Sequence, residues 1–86
     1  MENGYILRMT CNITKEVYYS ACYRPSHIEY KIMEFEWINS KLKNRRIIDR
    51  GNFKTECILH KVRSKWFLLD LKKKYIRATK NCINKN

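Results

Sequence analysis

The clearest periodic signal in the sequence is YILRMTCNI, residues 5–13. Its odd positions, from Tyr5 to Ile13, are apolar, and Arg8, Thr10 and Asn12 stand between them. Alternation with a period of two predicts a β-strand that buries one face. Residues 17–23 are again rich in β-branched and aromatic side chains after a short connection at 14–16. The chain is therefore predicted to open with a β-hairpin.

A helix is predicted after the hairpin. Ser26 precedes Glu29 by three residues, which is the spacing of a capping box. The apolar residues that follow fall on one stripe of a 3.6-residue period: Ile28, Ile32, Phe35, Ile38 and Leu42. A third strand over the same residues is the alternative, because positions 28, 30 and 32 also alternate.

The second half of the chain is predicted to contain a basic connection, a strand and a helix. Residues 45–51 form the connection, and residues 53–62 are predicted to be the central strand of the sheet. Ser64 is predicted to cap the helix. The apolar stripe of this helix consists of Phe67, Leu68, Leu71, Tyr75, Ala78 and Cys82. The β-β-α-β-α order predicts a single α+β domain over residues 1–86, a small antiparallel sheet with flanking helices.

Charge is distributed unevenly along the chain. The net charge is +11; residues 1–40 hold four basic and five acidic residues, and residues 41–86 hold fifteen basic and three acidic residues. The two halves therefore carry −1 and +12, which indicates a dedicated electrostatic face. Abundant Ile, Asn and Lys with only two Gly are typical of an AT-rich genome, such as that of a phage or another mobile element.

The cysteines and histidines carry no metal pattern. The four cysteines are too far apart in sequence for a C-x-x-C knuckle, and His27 and His60 are isolated, so neither a metal nor a cofactor is predicted. No secretory signal and no membrane-spanning run is found. Reduced thiols and a cytoplasmic location are therefore expected, in the host cytoplasm if the protein is encoded by a phage.

The order of elements, with two short motifs, resembles the GIY-YIG nuclease domain. Asn3-Gly4-Tyr5 opens the first strand and Val17-Tyr18-Tyr19-Ser20 lies in the second, and residues 51–76 are similar to the third strand and following helix of that family. The resemblance implies a phosphodiesterase scaffold. In the family, tyrosines act with an arginine on the first helix and a glutamate on the later helix that holds a divalent metal.

The sequence departs from that pattern at the residues that the chemistry needs. Tyr5 and Tyr18 match the tyrosine positions, but the arginine of the first helix is missing and Lys72 stands where the glutamate belongs. An ammonium group repels a divalent cation and attracts a phosphate. The resemblance therefore implies a scaffold that has kept a phosphate-binding surface and lost the metal.

Cations of the second helix and of the basic connection are predicted to contact nucleic acid, with a solvated helix face as the alternative. No acidic residue follows Asp70 to neutralise them. Such contacts are expected to be independent of base sequence and sensitive to salt. The predicted nucleic-acid-binding residues are Arg45, Arg46, Arg50, Lys72, Lys73, Lys74, Arg77 and Lys80.

Exposed aromatic residues predict a second surface. Another stripe on the first helix consists of Tyr30, Met33 and Trp37. It indicates a surface that docks onto another protein or forms a homodimer. Trp66 lies off the stripe of the second helix and is predicted to stack on a base, to contact a partner or to cover the edge of the core.

Three functions follow from these features. The first is a non-catalytic domain that binds DNA or RNA. The second is a small phage or viral inhibitor that docks on an acidic groove of a host nuclease or defence protein. The third is a working nuclease, which is disfavoured because Lys72 replaces the metal-binding carboxylate.

Overall fold

The computed structural model describes residues 1–37 and 43–85 and confirms the α+β class. The elements in chain order are β1 (Glu2–Cys11), β2 (Val17–Tyr23), α1 (Ile28–Phe35), α2 (Arg45–Asp49), β3 (Phe53–Val62), α3 (Lys65–Ala78) and a 3₁₀ turn (Ile83–Lys85). Among the described residues, no helix is long and apolar enough to span a bilayer.

β1 is the central strand of the sheet. The strand order is β2-β1-β3, and both neighbours run antiparallel to β1. The prediction that residues 53–62 form the central strand was wrong. β3 carries a charged or polar residue at several positions, and it pairs with the side of β1 that the hairpin leaves open. The whole sheet is therefore organised around the N-terminal strand.

Both faces of β1 are buried, so the prediction that this strand buries only one face was wrong. Leu7 and Met9 pack in one cluster with Phe35 of α1 and with α2. Ile6, which points the other way, packs in a second cluster with Leu68 of α3. A helical layer therefore covers each side of the central strand.

The Leu68 side chain of α3 packs directly on Gly4 of β1. A Cβ at this position would lie 2.9 Å from one methyl carbon of Leu68 and 3.2 Å from a methyl carbon of Val62. A side chain at this position would therefore require the Leu68 side chain to shift.

Helix α1 forms, but not with the predicted cap. Its N-cap is His27, with no side-chain hydrogen bond to the cap, so the Ser26–Glu29 capping box was wrong. The helix ends at Phe35, and the predicted continuation through Ile38 and Leu42 falls outside the described residues.

The predicted basic connection contains helix α2. Ile47 and Ile48 are buried on it, which the sequence analysis did not anticipate. The buried side chain of Asn44 donates a hydrogen bond from Nδ2 to the Phe35 carbonyl at 2.6 Å, which ties the end of α1 to the start of α2.

Helix α3 begins as predicted and ends early. The Ser64 hydroxyl accepts a hydrogen bond from the Phe67 amide, which confirms the cap. The helix stops at Ala78, so Cys82 lies beyond it and forms a β-bridge with Val17. Phe67 and Ala78 were predicted to be buried, and both are exposed.

The C-terminal segment closes the outer edge of β2. Asn84 makes two hydrogen bonds to the backbone of Tyr19: its Oδ1 accepts from the amide at 2.7 Å, and its Nδ2 donates to the carbonyl at 3.0 Å. The Val17 amide donates to the Asn81 carbonyl at 2.9 Å. One side-chain amide thus replaces the peptide group of a neighbouring strand.

We expect Asn84→Ala to lower the free energy of unfolding by about 1–2 kcal/mol, because two backbone groups of an edge strand lose their partner. Urea denaturation measures this, and hydrogen exchange should be faster at the Tyr19 amide. Asn81→Ala is the matched control, since Asn81 takes part through its backbone carbonyl. Equal stability of both variants would contradict the assigned role of Asn84.

Candidate functional site

An open groove lies between the end of β3 and the outer side of α3. Its volume is about 690 Å³. Its lining contains five cationic side chains and one carboxylate, on an apolar floor. The lining residues are Met1, Lys61, Val62, Arg63, Phe67, Asp70, Leu71, Lys73, Lys74 and Arg77. We call this the basic groove.

The chain builds the basic groove by a tight reversal. β3 ends at Val62 and α3 starts at Lys65, so the helix folds back beside the strand that it follows. Lys61 and Arg63 stand on the strand side. Lys74 and Arg77 stand on the helix side, within the same face because they are three residues apart.

The cations of the basic groove are not neutralised. Among residues 1–37 and 43–85, no ion pair joins any of these five side chains to a carboxylate. Lys61 donates a hydrogen bond to Asn3 Oδ1, a neutral partner. Asp70 is the only acid in the lining. The groove therefore presents an excess of positive charge to solvent.

The predicted cationic set is divided between the two helical layers. Arg45 pairs with Asp49 at 3.7 Å and Arg46 pairs with Glu16, so both are partly neutralised. They lie on α2 with Arg50 at its C-cap, and α2 packs on the sheet face opposite α3. Only Lys73, Lys74 and Arg77 of the eight predicted residues line the basic groove.

Lys72 and Lys80 lie outside the basic groove, each in a different place. Lys72 is half-buried and lies about 200° around α3 from Lys74, on the side that carries Leu68. Lys80 follows the helix and lines a smaller cleft with Arg46 and Glu16. Three consecutive lysines in the sequence are therefore not one patch in space.

The two tyrosines of the family resemblance lie on the α1 side of the sheet. Tyr18 stacks on Phe35 with ring centroids 5.8 Å apart, and burial raises its pKa. Tyr5 lies two residues before Leu7 on β1, and side chains two residues apart on a strand point to the same face. Tyr5 is therefore also on the α1 side. Lys72 belongs to the helix on the other face. The sheet therefore separates both tyrosines from the helix that carries Lys72.

Tyr19 is the hairpin tyrosine that faces α3. Its hydroxyl lies 2.6 Å from Thr79 Oγ1 and its ring is 5.6 Å from that of Tyr75. It is buried and serves packing. Within the described ranges, no three His, Cys, Asp or Glu side chains are grouped to hold a metal ion.

The predicted partner-binding residues come from two parts of the fold. Tyr30 and Met33 are 66% and 65% exposed on α1, and Trp37, which is 59% exposed, follows the helix because α1 ends at Phe35; the prediction that all three form one stripe of the helix was therefore wrong. Trp66 is 72% exposed, but on α3, across the sheet. The two tryptophans therefore stand on different parts of the fold, Trp66 on α3 and Trp37 after α1.

Sequence reasoning missed Lys61, Arg63 and Phe67. Phe67 was assigned to the core stripe, yet it is 53% exposed and lines the basic groove. A charged residue at the end of a strand gave no signal by itself. The predicted strand–Ser64–helix boundary was the one available hint, because it implied a short reversal beside Arg63.

One ion pair of the sheet has a structural role instead. Arg8 donates to Glu56 through Nε at 3.0 Å and Nη2 at 2.8 Å, across neighbouring strands. The hydrogen bonds from Arg8 hold the pKa of Glu56 below its usual value and raise that of Arg8. This paired arginine is not part of the basic groove.

We expect the Arg8–Glu56 pair to make stability acid-sensitive. The folded-state pKa of Glu56 lies below its unfolded value of about 4.3, so the contribution is full above that pH and is lost as pH falls through the lowered pKa. Glu56→Gln should cost about 0.5–1 kcal/mol at pH 7, because both side chains are partly solvated and screened. Denaturation at pH 7 and pH 3 should show a smaller difference in the variant; an unchanged difference would contradict this role.

Comparison with protein-family models, with curated proteins and with solved structures finds no match to this chain. The residues and charges of the molecule itself therefore carry the functional inference.

Proposed function

We propose that the protein is a non-catalytic nucleic-acid-binding domain that holds the sugar-phosphate backbone in the basic groove. One observation carries the proposal: five cations surround a single groove with one carboxylate among them. Phosphates placed there would relieve the repulsion among these cations and release counterions.

The side chains of the basic groove are suited to contact the sugar-phosphate backbone of a nucleic acid, and not one particular base pair. Lys61, Lys73 and Lys74 are flexible point charges, and Arg63 and Arg77 add guanidinium groups that bind phosphate oxygens in a fork. None of these contacts reads a base edge. Binding is therefore expected to be weakly dependent on sequence and strongly dependent on salt.

The proposal omits phosphodiester cleavage. Lys72 stands at the position that the family resemblance gives to a metal-binding glutamate, and Tyr5 and Tyr18 lie on the sheet face opposite its helix. Magnesium-dependent cutting by the purified protein, lost in Tyr5→Phe, would contradict the non-catalytic assignment.

A cytoplasmic location fits this function, and the host cytoplasm if the protein is encoded by a phage. All four cysteines, each in the described part of the chain, are free thiols, and Cys57 is exposed. Thiols in this state are typical of a reducing compartment.

We expect the double variant Lys73→Ala/Lys74→Ala to weaken binding of nucleic acid and to lower the slope of log affinity against log salt. The slope should fall by about 1.8 on a duplex, because each phosphate contact contributes about 0.9. Fluorescence anisotropy at several salt concentrations measures both quantities.

Arg45→Ala/Arg50→Ala is the matched control, because it removes the same charge from the opposite helical layer. Its slope should stay close to that of the unmodified chain. Equal losses in the two double variants would mean that net charge, and not the basic groove, determines binding.

We expect Asp70→Asn to tighten binding about two- to fivefold, because it removes the one carboxylate that faces the phosphates. A gain of affinity is informative because misfolding does not produce one. The same titration checks it, and weaker binding by this variant would place the nucleic acid elsewhere.

A second candidate is a phage or viral inhibitor that docks on a host nuclease or defence protein. The exposed side chains of Tyr30, Met33 and Trp37 favour it, because large apolar side chains left open to solvent are typical of a protein contact. Capture of one host protein from nuclease-treated lysate, lost in Trp37→Ala and kept in Lys73→Ala/Lys74→Ala, would support it over nucleic-acid binding.

A further inference from the structure

We propose that the basic groove takes a single-stranded nucleic acid whose bases stack on Phe67 and Trp66. This inference rests on the proposed function and adds the class of ligand. It comes from two exposed aromatic side chains in the first turn of α3, beside cations in its later turns.

Phe67 places an aromatic ring inside the basic groove. It lines the groove together with Val62 and Leu71, and half of its surface is open to solvent. A phenyl ring has no hydrogen-bonding group, so water gains nothing at its exposed face. A nucleobase offers a flat π-surface of matching size.

Trp66 extends the aromatic surface along the outer side of α3. It is 72% exposed and precedes Lys73 by seven residues and Arg77 by eleven, so the three side chains follow one line of the helix. The remaining lysine of that side, Lys74, follows Phe67 by the same interval of seven.

The helix therefore orders its contacts by chemistry. Its first turn carries the aromatic rings of Trp66 and Phe67 beside the exposed Lys65, and the segment one to three turns further on carries cations and no aromatic groove residue, over about 15 Å from Phe67 to Arg77. A strand that lies along α3 would place bases on the first part and phosphates on the second. Stacking platforms beside a positive groove are the general means of binding single strands.

A duplex cannot use the aromatic part of this surface. Its bases are stacked on one another, and their faces are reached only by unstacking a step at a cost. The phosphates of a duplex remain available to the cations. Binding of a duplex is thus expected through the cations alone, and binding of a single strand through both sets.

The test compares labelled single strands of about twelve nucleotides, one DNA and one RNA of matched sequence, with a DNA duplex of the same length. We expect Phe67→Ala and Trp66→Ala each to weaken single-strand binding about tenfold and to change duplex binding less than twofold. Phe67→Tyr should keep single-strand affinity, since it keeps the ring. The DNA and RNA arms should respond alike, because stacking does not involve the 2′-hydroxyl.

Trp37→Ala is the matched control, because it removes an exposed tryptophan that follows α1 and does not line the basic groove. It should leave all three affinities unchanged. Trp37→Phe gives a second readout, because it leaves Trp66 as the sole tryptophan. Stacking of a base should quench the Trp66 fluorescence with single strands and not with the duplex.

The outcomes separate this inference from the proposed function. All ligands could bind in a salt-dependent way while the Phe67→Ala and Trp66→Ala variants keep the affinity of the unmodified chain. That result would overturn the single-strand assignment and leave the basic groove as the binding site. An absence of binding to every ligand would overturn both. Both aromatic side chains are exposed and Phe67→Ala keeps the amide that Ser64 caps, so the variants are expected to fold.

Discussion

Burial of both faces of β1 is the constraint on which the rest of the structure depends. A strand that lies between two others and is covered above and below needs apolar residues at consecutive positions, and Ile6 and Leu7 supply them. Each face then needs its own helical layer. The short chain meets this demand with α1 and α2 on one side and α3 on the other.

The two helical layers also differ in how many of their cations are paired with carboxylates. On the α2 side, Arg45 and Arg46 find carboxylate partners. On the α3 side, the groove cations have none among the described residues, and the Arg8–Glu56 pair joins β1 to β3 outside the groove. Five cations without an ion pair among the described residues therefore stand together in the basic groove beside α3.

The C-terminal segment covers the outer edge of β2. β2 is closed by Asn84 and by the bridge between Val17 and Cys82, which uses the last described residues of the chain. These contacts hold the segment after α3 at the edge of the sheet farthest from β3. The position of α3, and hence of the basic groove, is therefore fixed at both ends: by the short turn after β3 and by the anchored tail.

Local patterns in the sequence determined the fold class, the hairpin, the helical nature of residues 28–35 and the cap at Ser64, because hydrophobic period and capping act over a few residues. They also indicated a cationic C-terminal half. Only the tertiary structure decided that β1 is central, that residues 45–49 are helical, that Lys72 turns away from Lys74, and that Phe67 joins Lys61 and Arg63 in one groove. The reason is physical: strand order and the facing of a helix are set by which surfaces pack together across the chain, and residues adjacent in sequence on a helix point in different directions.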